Sequence, residues 1–203
     1  MNVAAALRTR IARGPTYFDE FMDIALYGPG GFFASGPLRS AATGDFLTSP
    51  EVSPWFGKTI GRFVAAKTEG WEKVQVVEVG GGSGSLVEPL LDELPLPAEA
   101  WAVEASPMAR DSLGAVLPAE RVVAGLEELP DSLAGVLVAN ELIDNLPVAL
   151  AVKHGSGWVE HAVDVDGEVF VFVEAPARPD VTAWAERFGG KVPDGGIVEV
   201  QLA

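Results

Sequence analysis

The residues best placed to do chemistry lie in Glu78-x-Gly80-x-Gly82-x-Gly84, between a β-rich run, Val74 to Val79, and a helix-like stretch, Leu86 to Leu94. Glycines there let the backbone turn tightly and let a ligand approach atoms that a Cβ would shield, while free amides at the start of the following helix face it. This is a nucleotide-type cradle. Glu104 closes the next β-rich run, Trp101 to Glu104, where a carboxylate can accept hydrogen bonds from both hydroxyls of a ribose. Turn and acid point to one adenosine-bearing ligand. A dinucleotide fingerprint, G-x-G-x-x-G, puts its third small residue at Ser85 when counted from Gly80, which is tolerable, and at Val87 when counted from Gly82, which fails.

A second polar cluster, Asn140-Glu141-x-x-Asp144-x-x-Pro147, follows the β-rich run Gly135 to Ala139. An amide and two acids at a strand end can orient an incoming amine or guanidine and disperse its charge. The plainer alternative is that Asn140 and Asp144 cap the following turn and Glu141 is only solvated. The segment Gly44 to Ser53 mixes a turn, an aromatic and hydrogen-bonding side chains, and by itself reads as an ordered loop. His154 and His161 fall in a β-rich region, where surface or packing roles are expected. Trp55, Trp71, Trp101, Trp158 and Trp184 are spread out and expected in the core.

The elements that must position these groups alternate. Thr16 with Asp19 resembles a capping box for a helix carrying Phe18, Phe21, Met22, Ala25 and Leu26 on one core-facing side, stopped by Gly28-Pro29. Ser53 and Pro54 open a second helix with Phe56, Ile60, Phe63 and Val64 on one side and Gly70 at its end. Strands at 74–79, 101–104, 121–123 and 135–139 then alternate with helices at 86–94, where Pro89 removes an amide donor, and at 106–117. That order predicts a parallel sheet whose ligands sit beyond the carboxyl ends of its strands. Val148 to Val152, Trp158 to Val165 and Val169 to Val173, joined by turns that include Asp166-Gly167, predict an antiparallel meander.

Composition narrows the chemistry. The 203 residues are 48% hydrophobic, enough for a core, and their net charge of −15 is uneven: residues 1–62 hold 6 basic and 5 acidic side chains, residues 63–203 hold 8 and 24. Such a field repels nucleic acid and attracts cations or basic peptides. With 0 Cys there is no disulfide, thiolate nucleophile or sulfur-ligated metal, and with 2 His no multi-histidine metal site is expected. No apolar run reaches the ~20 residues of a membrane span, and Met1 to Arg13 lacks the pattern of a secretory signal, so a cytoplasmic protein is expected.

The alternation of acid and glycines from Glu78 to Gly84 resembles motif I of class I S-adenosylmethionine (SAM) methyltransferases, in which the loop wraps a methionine tail; acidic surroundings suit a sulfonium cation. More specifically, the chain resembles the MidA-like family of SAM-dependent methyltransferases, which includes the arginine methyltransferase that assists assembly of respiratory complex I. The matching stretches are Gly14-Pro15, Phe21-Met22 with Ala25-Leu26-Tyr27, Gly44-Asp45-Phe46-x-Thr48-Ser49-Pro50-Glu51-Val52-Ser53, Phe56-Gly57 with Ile60-Gly61, Glu78 to Gly84, and Ala139-Asn140-Glu141-x-x-Asp144-x-Leu146-Pro147-Val148. Phe33 stands where the family usually has tyrosine, and Leu142-Ile143 replace its aromatic residues, which implies an altered pocket wall.

The resemblance implies an α/β, Rossmann-like methyltransferase sheet with N-terminal helices and an inserted β meander. Its parts would be a helical segment and cofactor-covering loop (1–70), a SAM-binding core (71–147), and the meander with the start of a shortened C-terminal part (148–203). Family members continue into further strands, so the edge of the fourth strand would need a cover such as the meander or a partner subunit. Gly44, Asp45, Thr48 and Pro50 would fold over the cofactor, Gly80, Gly82 and Gly84 would cradle its methionine part, Glu78 would line that pocket, and Glu104 would hold the ribose. Asn140, Glu141 and Asp144 would face the substrate, Glu141 orienting the nucleophilic nitrogen.

The expected function is SAM-dependent methylation of a protein side chain, arginine in the family's pattern. The expected partners are a basic protein and a second copy of the chain, with no nucleic acid, membrane or metal. A rival is a non-catalytic assembly or binding factor on the same fold. An NAD-dependent oxidoreductase would need a hydride-transfer acid or base that the sequence does not offer.

Overall fold

A computed structural model describes residues 2–34, 47–95 and 98–202. Along the chain come α1 (Val3–Ile11), β1 (Thr16–Tyr17), α2 (Phe18–Leu26), α3 (Ser49–Val52), α4 (Pro54–Lys67), β2 (Val74–Val79), α5 (Val87–Leu91), β3 (Ala98–Val103), α6 (Pro107–Leu113), β4 (Val122–Val123), β5 (Gly135–Ala139), β6 (Ala149–His154), β7 (Gly157–Asp166), β8 (Val169–Pro176), α7 (Pro179–Phe188) and β9 (Ile197–Val200). Contacts divide it into two units, residues 35–144 and residues 1–34 with 145–203.

In the unit of residues 35–144, four parallel strands lie in the order β4-β3-β2-β5, as strands alternating with helices require. Val77 of β2 pairs with Trp101 of β3 and Leu137 of β5. Being internal, β2 is buried on both faces. Val74 and Val76 join Leu86, Val87, Leu90, Leu113 and Val64 in one core, and Val77 joins Val103 and Val123 on the other side. Glu78 continues the row of Val74 and Val76, which places a carboxyl on the helix-covered face.

Helix α4 begins as its sequence predicts: Ser53 Oγ accepts a hydrogen bond from Trp55 N at 3.3 Å and Pro54 takes the first helical position. Its inward stripe differs from the expected one, because Phe63 is 60% exposed while Gly57 and Gly61 are buried. A Cβ on Gly57 would stand 2.5 Å from Pro89 Cγ, and one on Gly61 would stand 2.4 Å from Leu90 O. Two glycines four apart thus let the α4 backbone touch α5 directly. Helix α5 is one short turn around Pro89, which sits early enough that its missing N–H interrupts no helical bond. Helix α6 ends at Leu113 and continues as turns to Leu117. Trp55 and Trp71 are exposed, contrary to the expected core placement. Strand β5 is the edge of this sheet, and the meander belongs to the other one.

In the other unit, the antiparallel sheet runs β1-β7-β6-β9, with β8 on the second edge of β7. Gly155 and Gly167 take φ of 58° and 60° in the two hairpin turns of the meander, the left-handed conformation that glycine adopts at little cost. Helix α7 buries Val181 and Ala185 against Ala149, Ala151 and Val200. The capping box expected at Thr16 does not form. Thr16 pairs with Val163 in β1, and α2 starts after Tyr17 with no side-chain cap. Nor is α2 a fully buried helix; its Phe18 and Phe21 rings pack on Phe172 and Phe170 at 5.6 and 5.5 Å. His161 stacks on Phe172, a packing role as expected. Glu160 is fully buried and held by Arg178, which donates to it from N at 2.6 Å and Nη2 at 2.8 Å, and pairs with Asp19 at 2.9 Å. No helix of the described residues is long and apolar enough to cross a membrane.

Candidate functional site

The parallel register explains how the turn after β2 meets the acid after β3. Val79 pairs with Val103, so residues 80 and 104 leave the sheet side by side. Gly80 N donates to Val103 O at 2.8 Å, prolonging the ladder, and Glu104 N donates to Val123 O at 2.9 Å. The turn then folds back over Glu104. Gly82 N donates to Glu104 Oε2 at 3.0 Å and Ser106 N to Oε1 at 2.8 Å, so each carboxylate oxygen is fixed by one amide and keeps a lone pair. Arg110 anchors the backbone beneath, its Nη1 donating to Glu104 O at 2.7 Å and Ala105 O at 2.8 Å.

Gly80, Gly82 and Gly84 adopt φ of 77°, 54° and 84°, the left-handed conformation that side chains disfavour. Their amides are all engaged, Gly84 N donating to Gly81 O at 2.9 Å. At the start of α5, Glu88 N donates to Gly84 O at 3.3 Å. The turn therefore offers a ligand bare backbone and a fixed carboxylate.

Glu78 is 4% exposed, with Oε2 buried and unpartnered. Burial pushes its pKa up to about 8, the Val87 amide opposes this, and the charge of Glu104 adds to it. With that value the carboxyl is neutral at pH 7.

Glu51 is a member of this site that the sequence reading quoted in a motif but did not single out. Ser83 Oγ donates to Glu51 Oε1, which brings α3 onto the glycine turn. Thr48 stands at the N-cap of α3 and Pro50 is buried within it. Their expected companions Gly44 and Asp45 lie outside the described residues. The signal for Glu51 was its place beside Thr48 and Pro50; its partner, 32 residues away, could not be read locally.

Asn140, Glu141 and Asp144 follow β5, which pairs with β2 from Gln75 to Val79 and so delivers them beside Gly80. Leu142 Cδ1 would be 3.1 Å from a Cβ on Gly80, so the two segments pack directly. Glu141 and Asp144 are exposed, and Glu141 has φ of 51°, unusual for a residue other than glycine. Such conformations persist where surrounding structure holds them, and they cluster at functional sites. Among the described residues no group of three or more His, Asp or Glu could hold a metal ion.

Residues 59–203 match the sequence profile of a family of S-adenosyl-L-methionine-dependent methyltransferases. The mitochondrial protein arginine methyltransferase NDUFAF7 of Mus musculus is 26% identical over 94% of this chain and 53% of its own length, and that of Homo sapiens matches to the same extent. A crystal structure from Burkholderia thailandensis, described as a candidate methyl transferase bound to S-adenosyl-homocysteine, superposes with a TM-score of 0.75 at 35% identity, covering 98% of this chain and 55% of that one. The chain spans about half the length of the curated relatives it matches. These findings bear out the MidA-like resemblance and the α/β methyltransferase fold.

Proposed function

The chain belongs to the family of S-adenosyl-L-methionine-dependent methyltransferases, and we propose that it binds SAM at the turn after β2 and transfers its methyl group to an arginine side chain of a basic protein. The observation that carries this reading is the Gly82–Glu104 hydrogen bond, which makes bare turn and ribose-binding acid one surface. The residues present fit the cofactor. Glu104 keeps two lone pairs for two hydroxyls, and the nicotinamide reading lacks the hydride-transfer acid or base it would need.

When bound, the cofactor supplies an electrophilic methyl group on a sulfonium. The chain's own residues supply position and charge. Gly80, Gly82 and Gly84 would keep side chains out of the methionine tail's way, and Glu104 would hold the ribose end. Glu78, neutral and buried, is assigned to the wall beneath that tail. Thr48 and Pro50, carried by α3 against the turn, belong to the cover, with Gly44 and Asp45 leading into it. Beyond β5, Glu141 would accept hydrogen bonds from the guanidinium and aim one nitrogen at the methyl group, with Asn140 and Asp144 dispersing positive charge. The nitrogen–methyl bond would form as the sulfur–methyl bond breaks, S-adenosylhomocysteine would leave, and the proton given up by the nitrogen would pass to solvent beside these acids. The acidic charge of the chain would draw a basic partner.

Incubation with methyl-labelled SAM and a cell extract tests this. Label on arginine of a protein partner is expected. SAM binding without any labelling would favour the non-catalytic assembly factor.

A further inference from the structure

Helices α3 and α4 form a rigid approach to the glycine turn. Gly57 and Gly61 seat α4 directly on Pro89, Leu86 O and Leu90 O in and beside α5, the helix that leaves the turn. Ser53 joins α4 to α3 without a spacer, and Thr48 O closes α3 by accepting from Glu51 N at 3.0 Å and Val52 N at 3.2 Å. Glu51 is thereby presented at a set height over the turn, and its carboxylate accepts from Ser83 Oγ, which also accepts weakly from Ser85 N at 3.4 Å. The turn is held on one flank by Glu104 through Gly82 and on the other by Glu51 through Ser83.

We infer that Glu51 is a positioning residue for the cofactor, setting the shape of the turn through Ser83. The inference rests on the SAM reading above and extends it. A hydrogen bond to a charged acceptor is among the stronger single contacts in a protein, and turns built of glycine have little side-chain packing of their own to hold them. Without Glu51, residues 82–85 sample more conformations, and a ligand that needs one of them binds more weakly.

The test is calorimetric binding of S-adenosylhomocysteine to the intact chain and its variants, together with amide hydrogen exchange of residues 80–86 in the free protein. Glu51→Ala and Ser83→Ala are each expected to weaken binding about tenfold and to speed exchange in the turn, with the double variant no worse than either single one. Glu51→Gln and Ser83→Thr, which keep an acceptor and a hydroxyl, should restore most of the affinity. A purely structural role, in which Glu51→Ala lowers the melting temperature and leaves affinity and turn exchange unchanged, would overturn the inference. So would additive single losses. Wild-type protein that fails to bind the ligand would overturn it together with the SAM reading, whereas normal wild-type binding with unaffected variants overturns the inference alone.

Discussion

Gly82 and Glu104 are joined by a 3.0 Å hydrogen bond across the ends of two neighbouring parallel strands. The contact follows from register: with Val79 opposite Val103, the next residues of both chains emerge at the same level, and the first amide able to fold back reaches the first carboxylate. Two motifs that look independent in the sequence are therefore one feature of the fold.

Glu78 makes stability depend on pH. Its folded-state pKa of about 8 lies above the ordinary carboxylate value, so the folded chain holds a proton that the unfolded chain has released through that window. Stability must then fall as pH rises between the two values, on the order of a few kcal/mol in total. Glu78→Gln, which keeps the shape of the side chain and cannot ionise, should remove that decline. Urea unfolding at about pH 5 and about pH 9 measures it. Identical pH dependence in both proteins would contradict the assignment.

Gly61→Ala tests the seating of α4. The added methyl group meets Leu90 O at 2.4 Å, a backbone atom that cannot step aside, so the helices must separate. A loss of about 1–3 kcal/mol is expected despite alanine's better helix propensity. Unchanged or raised stability would show that the interface is looser than described.

Glu141 separates folding from activity. Asparagine tolerates the left-handed backbone better than glutamate, which offsets the side-chain contact that Glu141→Asn gives up, and thermal unfolding checks that the variant folds. It removes the carboxylate that orients the guanidinium and should reduce methyl transfer by about 100-fold or more. Full activity in this variant would remove Glu141 from the mechanism.

The alternation of strands and helices from Val74 to Ala139 was legible because hydrophobic runs and glycine or proline breaks are local signals. Contacts between distant segments were not. Thr16 carries the side chain of a helix cap, yet the chain spends it on a two-residue strand, because pairing with Val163 satisfies its backbone first. Nothing near Glu160 in the sequence marks it for burial, which depends on Arg178 arriving at the start of α7. Phe63 matches a helical stripe, but the small Gly57 and Gly61 decide which side of α4 faces inward. In the site, the glycine spacing and the two acids were visible, whereas Ser83–Glu51 depends on how α4 docks.

The central claim is that the turn at Gly80–Gly84 and the carboxylate of Glu104 hold one adenosine-containing ligand. Titration calorimetry with S-adenosylhomocysteine on the intact protein and on Glu104→Ala addresses it directly. One equivalent should bind the natural chain, and the variant should bind at least about tenfold more weakly. No heat from the natural chain, or equal affinity in the variant, would contradict the account.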